Sequence, residues 1–158
     1  MRPRAFDTVL LGGGTAGVLD LLDAMIATSI NGSEPTRVLY AIASGVLGRS
    51  AYEGGAPAAT LGVALHFVIA FSAAATYWLA GQRLPVLVRR PVLCGLAFGL
   101  AVWGFMYLVV LPVTFNRMPV VATGAQLMNQ LAIHSLGVGL PIALFASRSA
   151  RRHHDLER

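Results

Sequence analysis

Charged residues are scarce in this sequence. They make up 12% of the 158 residues, and lysine is absent, so that all 12 basic residues are arginines. Ordinary soluble domains carry roughly 25% charged residues. Hydrophobic residues account for 56%, and a small domain cannot hide that much apolar surface because it buries a limited fraction of its area. The composition excludes an ordinary soluble globule and predicts a single transmembrane domain over residues 1–158, with the lipid bilayer as its partner.

Other absences narrow the class further. The only cysteine, Cys94, lies in a hydrophobic run, so no disulfide can form within the chain. The net charge of +5 would suggest nucleic acid in a soluble protein. Here the arginines lie between hydrophobic runs, where anionic lipid headgroups are suitable neighbours, and we expect no nucleic-acid partner. A cleaved signal peptide is not expected either, because Asp20 and Asp23 interrupt the apolar stretch that follows Arg2 and Arg4.

Four apolar runs are long enough to cross a bilayer, which takes about 20 mostly apolar residues. They cover roughly residues 8–30, 57–80, 92–112 and 124–147. The connection after the first run is too long for a turn, and in it Glu34-Pro35 is typical of a helix start and Gly54-Gly55 of a helix end. We predict an all-α four-helix membrane bundle. A short amphipathic helix over residues 35–49 lies at the interface and caps the bundle or serves as a lid.

The arginines also predict the orientation of the bundle. Nine of the 12 flank the N-terminus, the connection between the second and third spans, and the tail at 148–158. The positive-inside rule places these segments, and with them both chain termini, in the cytoplasm. An even number of spans independently predicts that the two termini lie on the same side.

The stretch VLLGGGTAGVLD (9–20) contains glycines at the G-x-G-x-x-G spacing of dinucleotide-binding folds. Such a site requires a strand, a glycine turn and a helix, and then a second strand that ends in an acidic residue. Glu34 has a suitable separation, but it follows Asn31-Gly32-Ser33, which is typical of a turn. Everything downstream consists of helix-length apolar runs. We therefore predict no dinucleotide cofactor, and the sequence indicates no other cofactor.

Helix packing explains the same glycines better. Gly13 and Gly17 are four residues apart and form a flat strip along one side of a helix. Small residues at this spacing let two membrane helices approach closely. Gly62 in the second span, and Gly95 with Gly99 in the third, offer similar surfaces. We predict a compact bundle in which these five glycines serve helix packing.

Five polar residues inside the spans form a candidate intramembrane site: Asp20, Asp23, His66, Gln130 and His134. A charged side chain at mid-membrane costs at least ~2.5–3.5 kcal/mol, so such residues usually face the bundle and have partners. At about 1.5 Å rise per residue, Asp20, His66 and His134 all lie ~14–15 Å below the same membrane surface. Their equal depth predicts that they meet.

Three interpretations of this polar cluster remain open at the level of sequence. It is a structural network of interhelical hydrogen bonds, a proton or solute pathway, or a metal site, for which imidazoles and carboxylates are plausible ligands. No nucleophile and base stand in a recognisable catalytic arrangement, so no catalytic residue is assigned and an enzyme is not expected. The favoured function is a non-enzymatic accessory or structural subunit, as a homo-oligomer or within a larger membrane complex. The alternatives are a small channel or carrier and an intramembrane metal- or cofactor-binding protein.

Several stretches of the chain resemble those of a known family. They are AGVLD (16–20), RVLYAIASGVLG (37–48), LGVALHFVIA (61–70), YLVVLPV (107–113) and HSLGVGLPIAL (134–144). On these stretches, which span nearly the whole chain, the sequence resembles a family of small, uncharacterised four-helix proteins of the bacterial inner membrane and, more distantly, YagU-like proteins. Asp20, His66 and His134 fall within them. The resemblance implies a multi-pass protein of the bacterial inner membrane and adds no chemistry.

Overall fold

The computed structural model describes residues 3–115 and 124–156, with side chains as far as Arg151. Within these ranges the chain is helical apart from short connections and contains no strand. Its principal helices are α1 (Phe6–Ile30), α2 (Arg37–Leu47), α3 (Gly55–Arg83), α4 (Pro85–Arg89), α5 (Pro91–Phe115) and α6 (Gly124–Arg151, continuing to Leu156). Four of these helices, α1, α3, α5 and α6, are long and apolar enough to cross a membrane. The predicted all-α four-helix membrane bundle is confirmed, and α2 lies between its first two spans.

Two of the spans contain a π-helical turn directly before a proline. In α5 the π turn Met106–Val110 precedes Pro112, and in α6 the π turn Ile133–Gly139 precedes Pro141. A proline inside an α-helix removes one hydrogen bond, and its ring clashes with the carbonyl of the preceding turn. A π turn is wider than an α turn and leaves more room for the ring. The helix of the third span continues past Pro112 to Phe115, beyond the end near residue 112 that its sequence predicts.

Small side chains fill the interior of the bundle. Its centre consists of Ala16, Ala74, Tyr77, Val138, Ile142, Ala143 and Ala146. Large apolar side chains instead cover the outside, among them Leu10, Leu22, Leu93 and Leu108. In lipid there is no hydrophobic driving force between helices, so they associate through close van der Waals packing, which small residues permit. This distribution of side chains suits a bundle surrounded by lipid.

The glycine strip of α1 packs against α3. A Cβ atom built on Gly13 would lie 2.9 Å from Cβ of Ala74, and one on Gly17 would lie 3.2 Å from Cβ of Ala70. The distance at Gly13 is shorter than real Cβ atoms approach, and the distance at Gly17 is tighter than most real contacts, so a larger residue at either position would push α1 and α3 apart. The strip brings α1 and α3 together as one close pair.

A second close pair is formed by α5 and α6. A Cβ atom on Gly99 would collide with the backbone of His134, and one on Gly139 would collide with the backbone of Gly95. A Cβ on Gly95 would lie 2.9 Å from Cβ of Ala143. The two pairs then join where α1 packs along α6. The glycines therefore set the position of the backbone that carries His134.

Candidate functional site

The candidate site is a cavity of about 190 Å³ between the spans. Asp20 of α1, His66 of α3 and His134 of α6 line it, and these are the three residues whose sequence positions predict a common depth. The other described residues of the wall are apolar: Ala16, Gly17, Leu21, Ala24, Val38, Ile42, Ile69, Ala70, Ala73, Val102, Met106 and Val138. Three ionisable side chains from three different spans thus meet in apolar surroundings.

The imidazole of His66 is held by the backbone of α1. Its Nε2–H donates a hydrogen bond of 2.8 Å to the carbonyl oxygen of Gly17. The close approach of α1 and α3 at Gly17 brings this carbonyl within reach of α3. A carbonyl can only accept, so the contact assigns the ring hydrogen to Nε2. In the neutral ring, Nδ1 of His66 is then an unprotonated nitrogen with a free lone pair.

His134 is held by its own helix. Its Nδ1–H donates a hydrogen bond of 2.9 Å to the carbonyl oxygen of Gln130, one turn earlier. The same reasoning leaves Nε2 of His134 as the unprotonated nitrogen of the neutral ring. His134 also lies within the π turn Ile133–Gly139, and π turns inside α-helices frequently occur at functional sites.

Asp20 lies beside His134 without being hydrogen-bonded to it. Its Oδ1 is 4.0 Å from His134 Nδ1, which exceeds hydrogen-bond distance. The exposed fractions of the two side chains are 26% for Asp20 and 18% for His134, so neither is sealed in a packed core. The lining residues therefore include a carboxylate and two imidazoles, and each neutral imidazole has one unprotonated nitrogen, so that all three groups are hydrogen-bond acceptors.

The structure places Asp23 and Gln130 elsewhere. Asp23 Oδ2 accepts a hydrogen bond of 2.8 Å from Asn129 Nδ2, in an exposed contact between α1 and α6. Gln130 Oε1 accepts one of 3.3 Å from Trp103 Nε1, which links α6 to α5. Both side chains lie outside the cavity lining. Of the five residues predicted as one site, three share the cavity and two form interhelical pairs.

The short helix α2, for which the sequence predicts a cap or a lid, forms part of the cavity wall through Val38 and Ile42. These two residues are one turn apart, so they lie on the same face of α2. The approach is close because α3 has a glycine there: a Cβ on Gly62 would collide with the backbone of Leu39. The apolar spacing in α2 signalled a buried face, but not what that face covers. In this position α2 covers one end of the cavity.

The donor geometry does not favour a metal ion. Within the residues that the structure describes, no three His, Cys, Asp or Glu side chains come close enough together to hold one. Asp23, a possible fourth ligand by sequence, is engaged with Asn129 instead. The described residues therefore give no support to the metal interpretation.

Four membrane-spanning helices around a polar cavity define the class of this chain as a multi-pass membrane protein. Comparison with models of protein families, with curated proteins and with solved structures gave no match.

Proposed function

We propose that the protein is a small membrane carrier that binds a cationic solute in the cavity at Asp20, His66 and His134, in competition with protons. The observation that carries the proposal is the convergence of these three side chains from three spans on one cavity. In the predicted orientation, with both termini in the cytoplasm of a bacterium, α2 covers the cavity from the outer side.

The hydrogen-bond acceptors of the residues that line the cavity favour a cationic ligand that carries hydrogen-bond donors. Both imidazoles donate their N–H to backbone carbonyls, so each offers a lone pair, and Asp20 adds a carboxylate. A protonated amine supplies the complementary charge and several N–H donors. An anion or a solute with acceptors only would meet repulsion from the carboxylate.

The free-energy cost of placing the Asp20 carboxylate inside the membrane supports the same proposal. A carboxylate at this depth costs at least ~2.5–3.5 kcal/mol, and the imidazole beside it does not form a hydrogen bond with it. A bound cation or proton offsets that cost. The size of the cavity agrees with a small organic group, because an apolar cavity of about 150 Å³ is known to hold benzene.

Replacing Asp20 with Asn is expected to weaken the binding of benzylammonium at least tenfold, while the fold remains intact. Asn has the shape of Asp but no charge, and a hydrogen bond to a charged group contributes about 1.5–3 kcal/mol, or roughly tenfold to a hundredfold in affinity. The measurement is the binding of tritiated benzylamine to the purified protein in lipid nanodiscs, followed by scintillation proximity.

The matched control is Asp23→Asn. It removes the same charge one turn further along α1, outside the cavity, and Asn can still accept the hydrogen bond from Asn129. We expect its affinity to lie within twofold of the unchanged protein. Equal binding to the Asp20→Asn and Asp23→Asn proteins, or no saturable binding to the unchanged protein, contradicts the proposal.

A second candidate is the accessory or structural subunit that the sequence favours. The interhelical hydrogen bonds Asn129–Asp23 and Trp103–Gln130 support it, because such bonds hold membrane helices together. In this function the cavity residues only maintain helix contacts. Isolation in mild detergent then yields a stable homo-oligomer or a partner protein, and the Asp20→Asn change affects assembly instead of binding.

A further inference from the structure

A second cavity lies beside the polar site. It is a groove of about 560 Å³ between α3 and α5. Val68 of α3 and Phe105 of α5 line it and are each 59% exposed, so the groove opens on the side of the bundle that faces lipid. Phe98 bounds the groove at the end nearer the side of the bundle where the two chain termini lie. The centroid of its ring lies 5.0 Å from that of Tyr77. The groove exists because α1–α3 and α5–α6 form the close pairs and leave α3 and α5 apart.

The surface of the groove is almost entirely apolar. Among the described residues, its only polar side chains are the hydroxyls of Ser72 and Thr76. Each donates its hydrogen to a carbonyl of α3 one turn earlier, at 2.7 and 2.9 Å. The groove therefore offers an apolar surface about 12 Å long along α3, from residue 68 to residue 76 at 1.5 Å per residue. An alkyl tail fits such a surface.

The groove and the polar cavity share part of their walls. Ile69 and Ala73 of α3, with Val102 and Met106 of α5, line both spaces. These four side chains form the boundary between them, and Ala73 is small. A tail that runs from Asp20 to the groove must cross this boundary, whose smallest member is Ala73.

We propose that the cavity is filled from the bilayer, and that its ligand is an amphiphilic amine whose charged head binds at Asp20 while its alkyl tail lies in the α3–α5 groove. This inference rests on the proposed function and names its substrate class. Charge complementarity selects the occupant, because Asp20 is the carboxylate of the combined lining and, among the residues that the structure describes, no arginine contributes to either wall. A fatty acid or an anionic lipid headgroup has the wrong charge. With Val38 and Ile42 of α2 in the cavity wall, the groove is the lateral route to the site.

The experiment compares two amines on one pair of variants. Ala101→Phe fills the groove, because Ala101 lines the groove and not the polar cavity. Ala97→Phe is the matched control: Ala97 is also an exposed alanine of α5, one turn away, and lines neither space. The ligands are tritiated decylamine, which has a tail, and tritiated benzylamine, which does not.

Binding is measured in nanodiscs at equal mole fractions of amine in the lipid. An alkyl tail is as favourable in lipid as in the groove, so a comparison of amines of different chain length is not informative. The informative comparison is between the variants and the unchanged protein for the same amine. We expect Ala101→Phe to weaken decylamine binding at least tenfold and to leave benzylamine within twofold, with Ala97→Phe unchanged for both.

Other outcomes separate this inference from the proposed function. If Ala101→Phe binds decylamine as tightly as the unchanged protein does, the tail does not bind in the groove. The proposed binding of amines at Asp20 is unaffected by that result. Equal losses of both amines in Ala101→Phe also overturn it, because the groove then has no selective contact with the tail. Absence of saturable benzylamine and decylamine binding to the unchanged protein removes the proposed function, and this inference with it.

Discussion

Gly99→Ala is expected to lower the free energy of unfolding by about 2–3 kcal/mol, the upper part of the range for overpacked cores. The added methyl group would collide with the backbone of His134. Backbone cannot rotate away as a side chain can, so α5 and α6 must move apart along their closest contact. We expect this loss of stability even though alanine has a helix propensity about 1 kcal/mol more favourable than that of glycine. Titration of the protein with dodecyl sulfate in mixed micelles, followed by helical circular dichroism, measures the change.

Gly104→Ala is the matched control for this prediction. It makes the same substitution in the same helix, but a Cβ at residue 104 would meet no atom of the described residues within 4 Å. Its stability should therefore be unchanged or raised by up to about 1 kcal/mol, since only helix propensity acts there. If both variants unfold at the same detergent concentration, the close contact between α5 and α6 does not determine stability.

Gly62→Ala is expected to detach α2 from the bundle and leave the four spans in place. A methyl group at residue 62 would collide with the backbone of Leu39 in α2. An isolated helix of 11 residues is shorter than the ~12–15 residues that are marginally stable alone in water. Amide hydrogen exchange within α2 should become at least tenfold faster, while α1 and α6 keep their protection. Mass spectrometry of peptides from exchanged protein measures both.

Detachment of α2 has a second consequence at the site. Val38 and Ile42 leave the cavity wall, so water gains access to Asp20 and His134 from that end. Gly104→Ala again serves as the control, with α2 exchange like that of the unchanged protein. Faster exchange in all helices of Gly62→Ala would mean that α2 is part of the cooperative core instead of a separable cover.

The spans, the helix between the first two of them and the depth of the ionisable residues were all predictable from the sequence. Length and apolarity determine whether a segment can cross a bilayer, because every backbone polar group in lipid must be paired internally. The depths of Asp20, His66 and His134 follow from counting residues, since an α-helix rises 1.5 Å per residue. The need of Gly13 and Gly17 for a close helix neighbour is likewise a local property.

Counting along a helix does not determine its rotation or its neighbours. Asp20 and Asp23 lie on similar faces of α1, yet Asp20 lines the cavity and Asp23 pairs with Asn129. Gln130 and His134 are one turn apart, and only His134 reaches the site. These differences depend on how the four helices are rotated and tilted against one another, which is set by contacts between residues distant in sequence.

The sequence by itself therefore determined that the chain is a four-helix membrane bundle, and it predicted one depth for Asp20, His66 and His134. The tertiary structure decided which helices pair. Glycine contacts bring α1 to α3 and α5 to α6, and that pairing leaves both the polar cavity and the apolar groove between α3 and α5. The physical reason is that a helix carries its own hydrogen bonds and hydrophobic length within its sequence, whereas a cavity is the space that several packed helices leave between them.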